Sequence, residues 1–201
     1  LYANFGFVMN VGPQLAPVLP EVFTHVELKT AVDLAQVATD PDGDTVYYRI
    51  ISATHGSATL SADGRSVVFR PDDGYYGDAE IQITADDGFN SSPVATLAVT
   101  VSNAPLLSLD FDKRRLLGDV GNTSIIRVFG DFADQQDVLL PFDYVSVDTL
   151  DGAIASISEQ GLLTALAAGH TVLMAERNGV VAATVVGVGE PADDQVRQGE
   201  L

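Results

Sequence analysis

The sequence predicts an all-β protein built as two tandem antiparallel β-sandwiches, and three observations carry that expectation. Short runs rich in β-branched and aromatic residues recur along nearly the whole chain. Asp-Gly and Asn-Gly pairs separate many of them, and such pairs supply the positive φ that tight turns need. The rhythm pauses at Ser102-Asn103-Ala104-Pro105 and restarts, so the 201 residues divide into two domains of ordinary size.

Bulk composition narrows the function classes. Hydrophobic residues make up 46% and charged residues 19%, which is enough to build cores and too apolar for global disorder. No run approaches the ~20 apolar residues needed to span a bilayer, so membrane insertion is not expected. The formal net charge is -18, from 28 acidic and 10 basic residues. That balance leaves no basic patch for phosphates, which argues against nucleic acid, and it opposes binding to anionic membranes. It fits a divalent-cation binder, a saline habitat or a soluble surface protein. With no cysteine, a disulfide framework, thiol catalysis and Cys-based zinc sites are excluded. The chain does not open on Met and shows no basic stretch followed by an apolar one, so it reads as a mature product or a fragment.

Residues 1–16 read as an N-terminal strand and linker. The apolar, β-prone stretch 1–12 fits the last strand of a preceding domain, a frayed terminus, or a strand given to a neighbouring subunit. Pro13, Pro17 and Pro20 then suggest an extended linker leading into an edge strand. Residues 17–104 form the first predicted sandwich. Its candidate strands are VFTHVEL, VDLAQVA, VYYRIISA, SATL, SVVFRP, EIQITA and VATLAVTVS. Seven short strands with turn signals between them are the pattern of an Ig-like antiparallel sandwich. In EIQITA, alternation sends Ile81 and Ile83 one way and Gln82 and Thr84 the other.

Residues 105–189 form the second predicted sandwich, with strands LLSLDFD, SIIRVFGDF, DVLLPFDYVSV, AIASIS, LLTALA, HTVLMAE and VVAATVVGV. Asn178-Gly179 between two apolar runs predicts a hairpin. Leu162 to Ala168 contains good helix formers, but Gly161 and Gly169 bound it at seven residues, so strand plus turn is preferred. Residues 190–201 are polar and read as a C-terminal tail or the next linker. The halves share class and length without a shared residue register, so they are related sandwiches and not copies.

Chemistry concentrates at Asp40, Asp42 and Asp44, which alternate with Pro41 and Gly43 ahead of the strand Val46–Ile50. Two unit charges about 4 Å apart at an effective dielectric near 20 cost about 4 kcal/mol. The chain avoids this by splaying the carboxylates into water or by placing a cation among them. Ca²⁺ takes six to eight oxygen ligands, so a calcium corner is the sharp reading and a solvated acidic turn the plain one. The turn is not an EF-hand, because no Gly-x₅-Glu follows it.

The first half resembles the bacterial cadherin-like, Ig-like repeats of large secreted adhesins. The resemblance rests on Asp40-Pro41-Asp42-Gly43-Asp44-Thr45, His55-Gly56, Asp63-Gly64, Pro71, Tyr75-Tyr76-Gly77 and Ile83-Thr84-Ala85-Asp86-Asp87-Gly88. Asn103-Ala104-Pro105 is similar to a shortened form of that family's linker, without its second Asp. The second half is similar to the bacterial Ig-like group 2 domain over Ala155 to Ala175, although Tyr144-Val145-Ser146 stands where that family carries a Trp-Ser-Ser run. The resemblance implies extracellular spacers or adhesive modules at the bacterial cell surface, with calcium at domain ends and no active site. It implies Asp40, Asp42, Asp44, Asp86, Asp87 and Asn103 as Ca²⁺ ligands, with Glu21 as a further oxygen donor. The implied partners are neighbouring Ig-like domains or subunits, or a surface glycan or protein.

Other chemistries have weaker signals. His25, His55 and His170 share no motif and read as structural. No G-x-S-x-G nucleophile turn or phosphate loop is present, and paired acids for glycoside hydrolysis need a cleft that a seven-strand sandwich rarely supplies. Asp72-Asp73-Gly74 reads as a turn. Tyr47-Tyr48 and Tyr75-Tyr76 would form a sugar platform only if both members of a pair faced out, and alternation turns one of each inward. The expectation is therefore a non-enzymatic, calcium-stiffened segment of a surface adhesin or fibre. The alternatives are a carbohydrate-binding region of a secreted enzyme and a filament subunit that donates its N-terminal strand.

Overall fold

The computed structural model describes residues 9–189, and within them the secondary structure is all β. The chain divides into two compact units, Leu1–Asn103 and Ala104–Leu201. Residues 1–8 and 190–201, and with them most of the strand-donation segment and the C-terminal tail, lie outside the described residues.

In the first unit the strands are β1 (Gln14–Leu15), β2 (Val22–His25), β3 (Thr30–Asp33), β4 (Ala38–Thr39), β5 (Tyr47–Ala53), β6 (Gly56–Leu60), β7 (Ser66–Pro71), β8 (Gly77–Asp86) and β9 (Ala95–Ser102). A four-stranded sheet runs β2-β9-β8-β5 and a three-stranded sheet runs β3-β7-β6. β2 pairs parallel to β9, while the other pairings in these sheets are antiparallel. This four-plus-three arrangement is an Ig-like sandwich. Its core is the inward row of each strand: Val67 and Phe69 from β7, Ile81 and Ile83 from β8, Leu97 and Val99 from β9, all at most 1% exposed.

The second unit repeats the plan. Its strands are β10 (Leu106–Phe111), β11 (Leu116–Gly118), β12 (Thr123–Ile125), β13 (Val128–Phe132), β14 (Val138–Leu140), β15 (Ser146–Thr149), β16 (Ala155–Ile157), β17 (Leu162–Ala165), β18 (Gly169–Arg177) and β19 (Val180–Val188). One sheet runs β11-β19-β18-β15, with β11 parallel to β19, and another runs β12-β17-β16. A small third sheet, β10-β13-β14, completes it. The two units thus share a strand order without sharing a sequence register.

Turn chemistry behaves as expected from the residues. Gly43, Gly64, Gly74 and Gly88 all follow Asp and all have positive φ. The β18–β19 hairpin turns at Asn178 (φ 51) and Gly179 (φ 84), the mirror-image geometry that matches strand twist. Leu162–Ala165 is a strand.

Three expected runs are broken. VFTHVEL ends as a strand at His25, because Leu28 N–H turns back to the His25 carbonyl and Glu27 takes φ 62. VDLAQVA splits at an Asp33-based turn in which Ala35 N–H donates to Asp33 Oδ1. DVLLPFDYVSV splits into β14 and β15 at Pro141, which has no N–H, and Tyr144 N–H closes a turn on its carbonyl. The alternation in β8 also fails at one place: Thr84, expected to face water, is buried.

Candidate functional site at the acidic pole

The turn Asp40–Asp44 and the β8–β9 turn Asp86–Ser91 are brought to one end of the first sandwich by a third element, residues 10–12. Asn10 Nδ2 donates to Asp87 Oδ2 at 2.7 Å, and Val11 N–H donates to Asp42 Oδ2 at 2.7 Å. Adjacent residues of one extended segment therefore hold both acidic turns. Gly12 sits so close to the second turn that a Cβ there would lie 2.7 Å from Asn90 Cβ.

Each carboxylate has a definite environment. Asp87 is 7% exposed, and it accepts from Phe89 N–H (2.7 Å) and Asn90 N–H (2.6 Å) at Oδ1 as well as from Asn10 at Oδ2. Those donors, the Asn90 N–H foremost and the Asn10 amide next, hold its carboxyl below the usual aspartate range. Asp86 accepts from the Ser91 hydroxyl and from Gly88 N–H (2.8 Å), and its pKa is lowered for the same reason, the hydroxyl contributing most. Asp40 Oδ1 accepts from Asp42 N–H (2.9 Å) and Asp44 N–H (3.1 Å). Asp40 Oδ2 is buried and has no hydrogen-bond partner. Asp44 is exposed.

Asn103 does not join this group. It follows β9, whose start adjoins the Asp86–Ser91 turn, so the eight residues of β9 separate them. At ~3.3 Å per residue that is about 26 Å. Glu21 precedes Val22, which pairs with Val99 within β9, so it too lies away from the pole. The reason is the antiparallel path: the exit from a sandwich's last strand lies opposite the hairpin that enters it. Among the described residues, no three His, Asp or Glu side chains converge as a metal-holding group. The full six-residue set therefore does not fit one calcium ion, since Asp86 and Asp87 are spent on N–H and O–H donors. Among the described residues, Asp40 Oδ2 is the buried carboxylate oxygen at this pole without a donor.

The other candidates separate as well. Tyr48 turns inward and donates its hydroxyl to the Leu34 carbonyl at 2.7 Å while accepting from Ala38 N–H at 3.2 Å. Burial pushes its pKa up. Tyr75 packs on the core side and stacks on His55, with centroids 4.3 Å apart. Tyr47 and Tyr76 are the exposed members, at 63% and 61%. They flank opposite ends of the ten-residue β8, about 33 Å apart at ~3.3 Å per residue, so they do not make a joint platform. His25 is buried and His170 is exposed on β18. A groove of about 650 Å³ lies between Val18–Phe23 and Thr30–Asp33; it carries Glu21 and Asp33 but no histidine or basic group.

Residues 10–12 are the part that sequence reasoning missed. Asn10 and Gly12 are polar and small positions just ahead of Pro13 in an otherwise apolar stretch. That interruption was the available signal.

Comparison with known proteins places the first unit. Residues 14–100 match the family model for the bacterial Ig domain. No curated protein matches the chain. Among solved structures, domains 5-6 of the S-layer protein SbsC are 15% identical, with 92% of this chain and 100% of that one covered and a TM-score of 0.42. Human protocadherin-24 EC1-2 is 13% identical, with 92% and 100% covered and a TM-score of 0.39. The endo-fucoidan hydrolase MfFcnA4 is 13% identical, with 94% of this chain but 30% of that one covered and a TM-score of 0.37.

Proposed function

With residues 14–100 matching the bacterial Ig domain, we propose that this chain is a non-enzymatic, load-bearing segment of a bacterial surface or extracellular protein. The observation that carries the reading is the parallel pairing of an early strand with the last strand in each unit. In the first sandwich Val22–His25 lies alongside Val99–Ser102 in the same direction, and in the second Leu116–Gly118 lies alongside Val186–Val188. Tension that has passed β1 or β10 pulls on the start of β2 or β11 and leaves at the end of β9 or β19. Parallel neighbours pulled that way slide against each other, so their hydrogen bonds are loaded together in shear and not peeled one at a time. A sandwich that resists tension in this way suits a spacer that presents or links other modules.

Single-molecule pulling on the 201-residue chain tests this. Each unit should unfold in one step, and proline at Thr24, whose N–H faces β9 as that of Val26 does, should lower the first unit's rupture force and leave the second's unchanged, with proline at Phe23, whose N–H faces away, lowering it less. Equal rupture forces in the wild type and both variants would overturn the shear reading.

Calcium belongs to the proposal in a reduced form, at Asp40–Asp44 alone. What supports it is the buried, unpartnered Asp40 Oδ2 in a turn that also carries Asp42 and Asp44; an ion there would draw carbonyls and water to complete its shell. Thermal unfolding with calcium and with chelator tests it: the first unit's midpoint should rise with calcium, the second's should not, and Asp40→Asn should remove the rise. No calcium effect on the first unit would defeat the metal claim and leave the mechanical one standing. Glycan binding that survives chelator and is lost on changing Tyr75 or Tyr76 would favour the carbohydrate-binding alternative instead.

A further inference from the structure

β18 and β19 pair in register from Gly169 opposite Val188 to Arg177 opposite Val180. Residues directly opposite on such a pair share a face. Leu173 and Ala175 point inward with Thr184 and Ala182, and all four are buried. The other face therefore presents Val172 and Met174 opposite Val185 and Ala183, bounded at one end by Val181 opposite Glu176 and at the other by His170 opposite Gly187. Val181 and Val185 are each about half exposed, at 51% and 49%.

The first sandwich supplies an internal control. At the same place in the same strand order, β8 and β9 present Asp78, Glu80 and Gln82 opposite Thr100, Ala98 and Thr96. That is the polar face a solvated sheet carries, and an aliphatic one in its place marks a surface meant to be covered. We infer that this outward face of the β11-β19-β18-β15 sheet pairs with the same face of a second copy of the chain.

Charge decides the occupant. Along the β19 flank, Asp110, Arg114 and Arg115 border the hollow that Ala183, Thr184 and Val185 line, so arginines outnumber the carboxylate there by one. On the opposite flank, Asp148 of β15 pairs with Met174, and Glu176 stands at the hairpin end of β18 opposite Val181. Sheet order thus puts basic groups on one side of the apolar stripe and acidic groups on the other. A two-fold axis parallel to the strands lays the basic flank of one copy over the acidic flank of the other. Arg114 is held by Asp110 of its own chain at 2.9 Å, but that pair is exposed, worth little, and free to exchange. The four strands hold 3, 4, 9 and 9 residues, which at ~3.3 Å per residue and ~4.8 Å per strand make a face of about 400 Å². That is below the ~800 Å² per partner of a stable complex, so pairing is weak and gains strength when several modules are linked. This gives the spacer reading a partner and rests on it only for biological use, since the pairing is a property of the purified chain.

Sedimentation equilibrium of the full chain from about 10 μM to about 1 mM tests the inference. The average mass should climb from that of one chain toward that of two. Val185→Glu and Met174→Glu should each weaken association about tenfold or more, while Thr100→Glu on the first sandwich should not. A chain with Arg114→Glu and Arg115→Glu, and another with Asp148→Lys and Glu176→Lys, should each fail to self-associate and should pair when mixed. Circular dichroism checks that each variant is folded. A mass independent of concentration, or association unchanged by both Val185→Glu and Met174→Glu, would overturn the inference and leave that face to some other protein.

Discussion

The Asn10 side-chain amide donates to Asp87 Oδ2 at 2.7 Å, joining residues 77 positions apart. Together with the Val11 bond to Asp42, this ties both acidic turns to one strap. A buried carboxylate needs donors or a cation, and here protein donors fill the role at Asp87. Asn10→Ala should therefore lower the unfolding midpoint of the first sandwich, and Asn10→Asp should lower it further by setting like charges together. Hydrogen exchange is the measurement: amides of β8 and β9 should lose protection, while those of β18 and β19 keep theirs.

Acid should act on the same turns. Asp86 and Asp87 have folded pKa values below the ordinary ~3.9 of an unfolded chain. A depressed aspartate contributes stability that is present above the unfolded value and is lost as pH falls through the folded one. Urea midpoints should hold steady above about pH 5 and drop below about pH 4. Asp87→Asn should flatten part of that drop while lowering stability at neutral pH.

Tyr48 should act through its hydroxyl. Its bond to the Leu34 carbonyl fixes the turn between β3 and β4 against β5. Tyr48→Phe keeps the ring and strands the carbonyl, which should cost about 1 kcal/mol in urea unfolding. A loss confined to the first unit is the expected result.

Two glycines should respond differently to alanine. A Cβ at Gly56 would lie 2.5 Å from the Arg70 carbonyl oxygen and 2.6 Å from Phe69 Cζ, so the core must shift, at about 1–3 kcal/mol. At Gly64 nothing lies within 4 Å, but φ is +69, so only backbone strain of about 1 kcal/mol applies. Comparing the two melts separates packing from conformation.

The strands and most turns were legible because their cues are local. Asp-Gly and Asn-Gly set positive φ by themselves, and the alternation in β9 sends Leu97, Val99 and Val101 inward without further help. The misread runs failed where a single backbone group changed partner: the missing N–H of Pro141, the Asp33 side chain, the Leu28 turn on His25. The candidate site was half legible. Asp40, Asp42, Asp86 and Asp87 do gather at one end, but their donors come from Asn10 and Val11, and no local pattern announces a partner 77 residues away.

By itself the sequence determined an all-β chain with a pause near residue 104, an acidic surface and one acid-rich turn, because composition, periodicity and turn residues act within a few positions of themselves. Only the tertiary structure decided which carboxylates share an end, that Asn103 does not, and which sheet face is aliphatic. Those follow from strand order, which is set by where the whole chain can bury its apolar rows together.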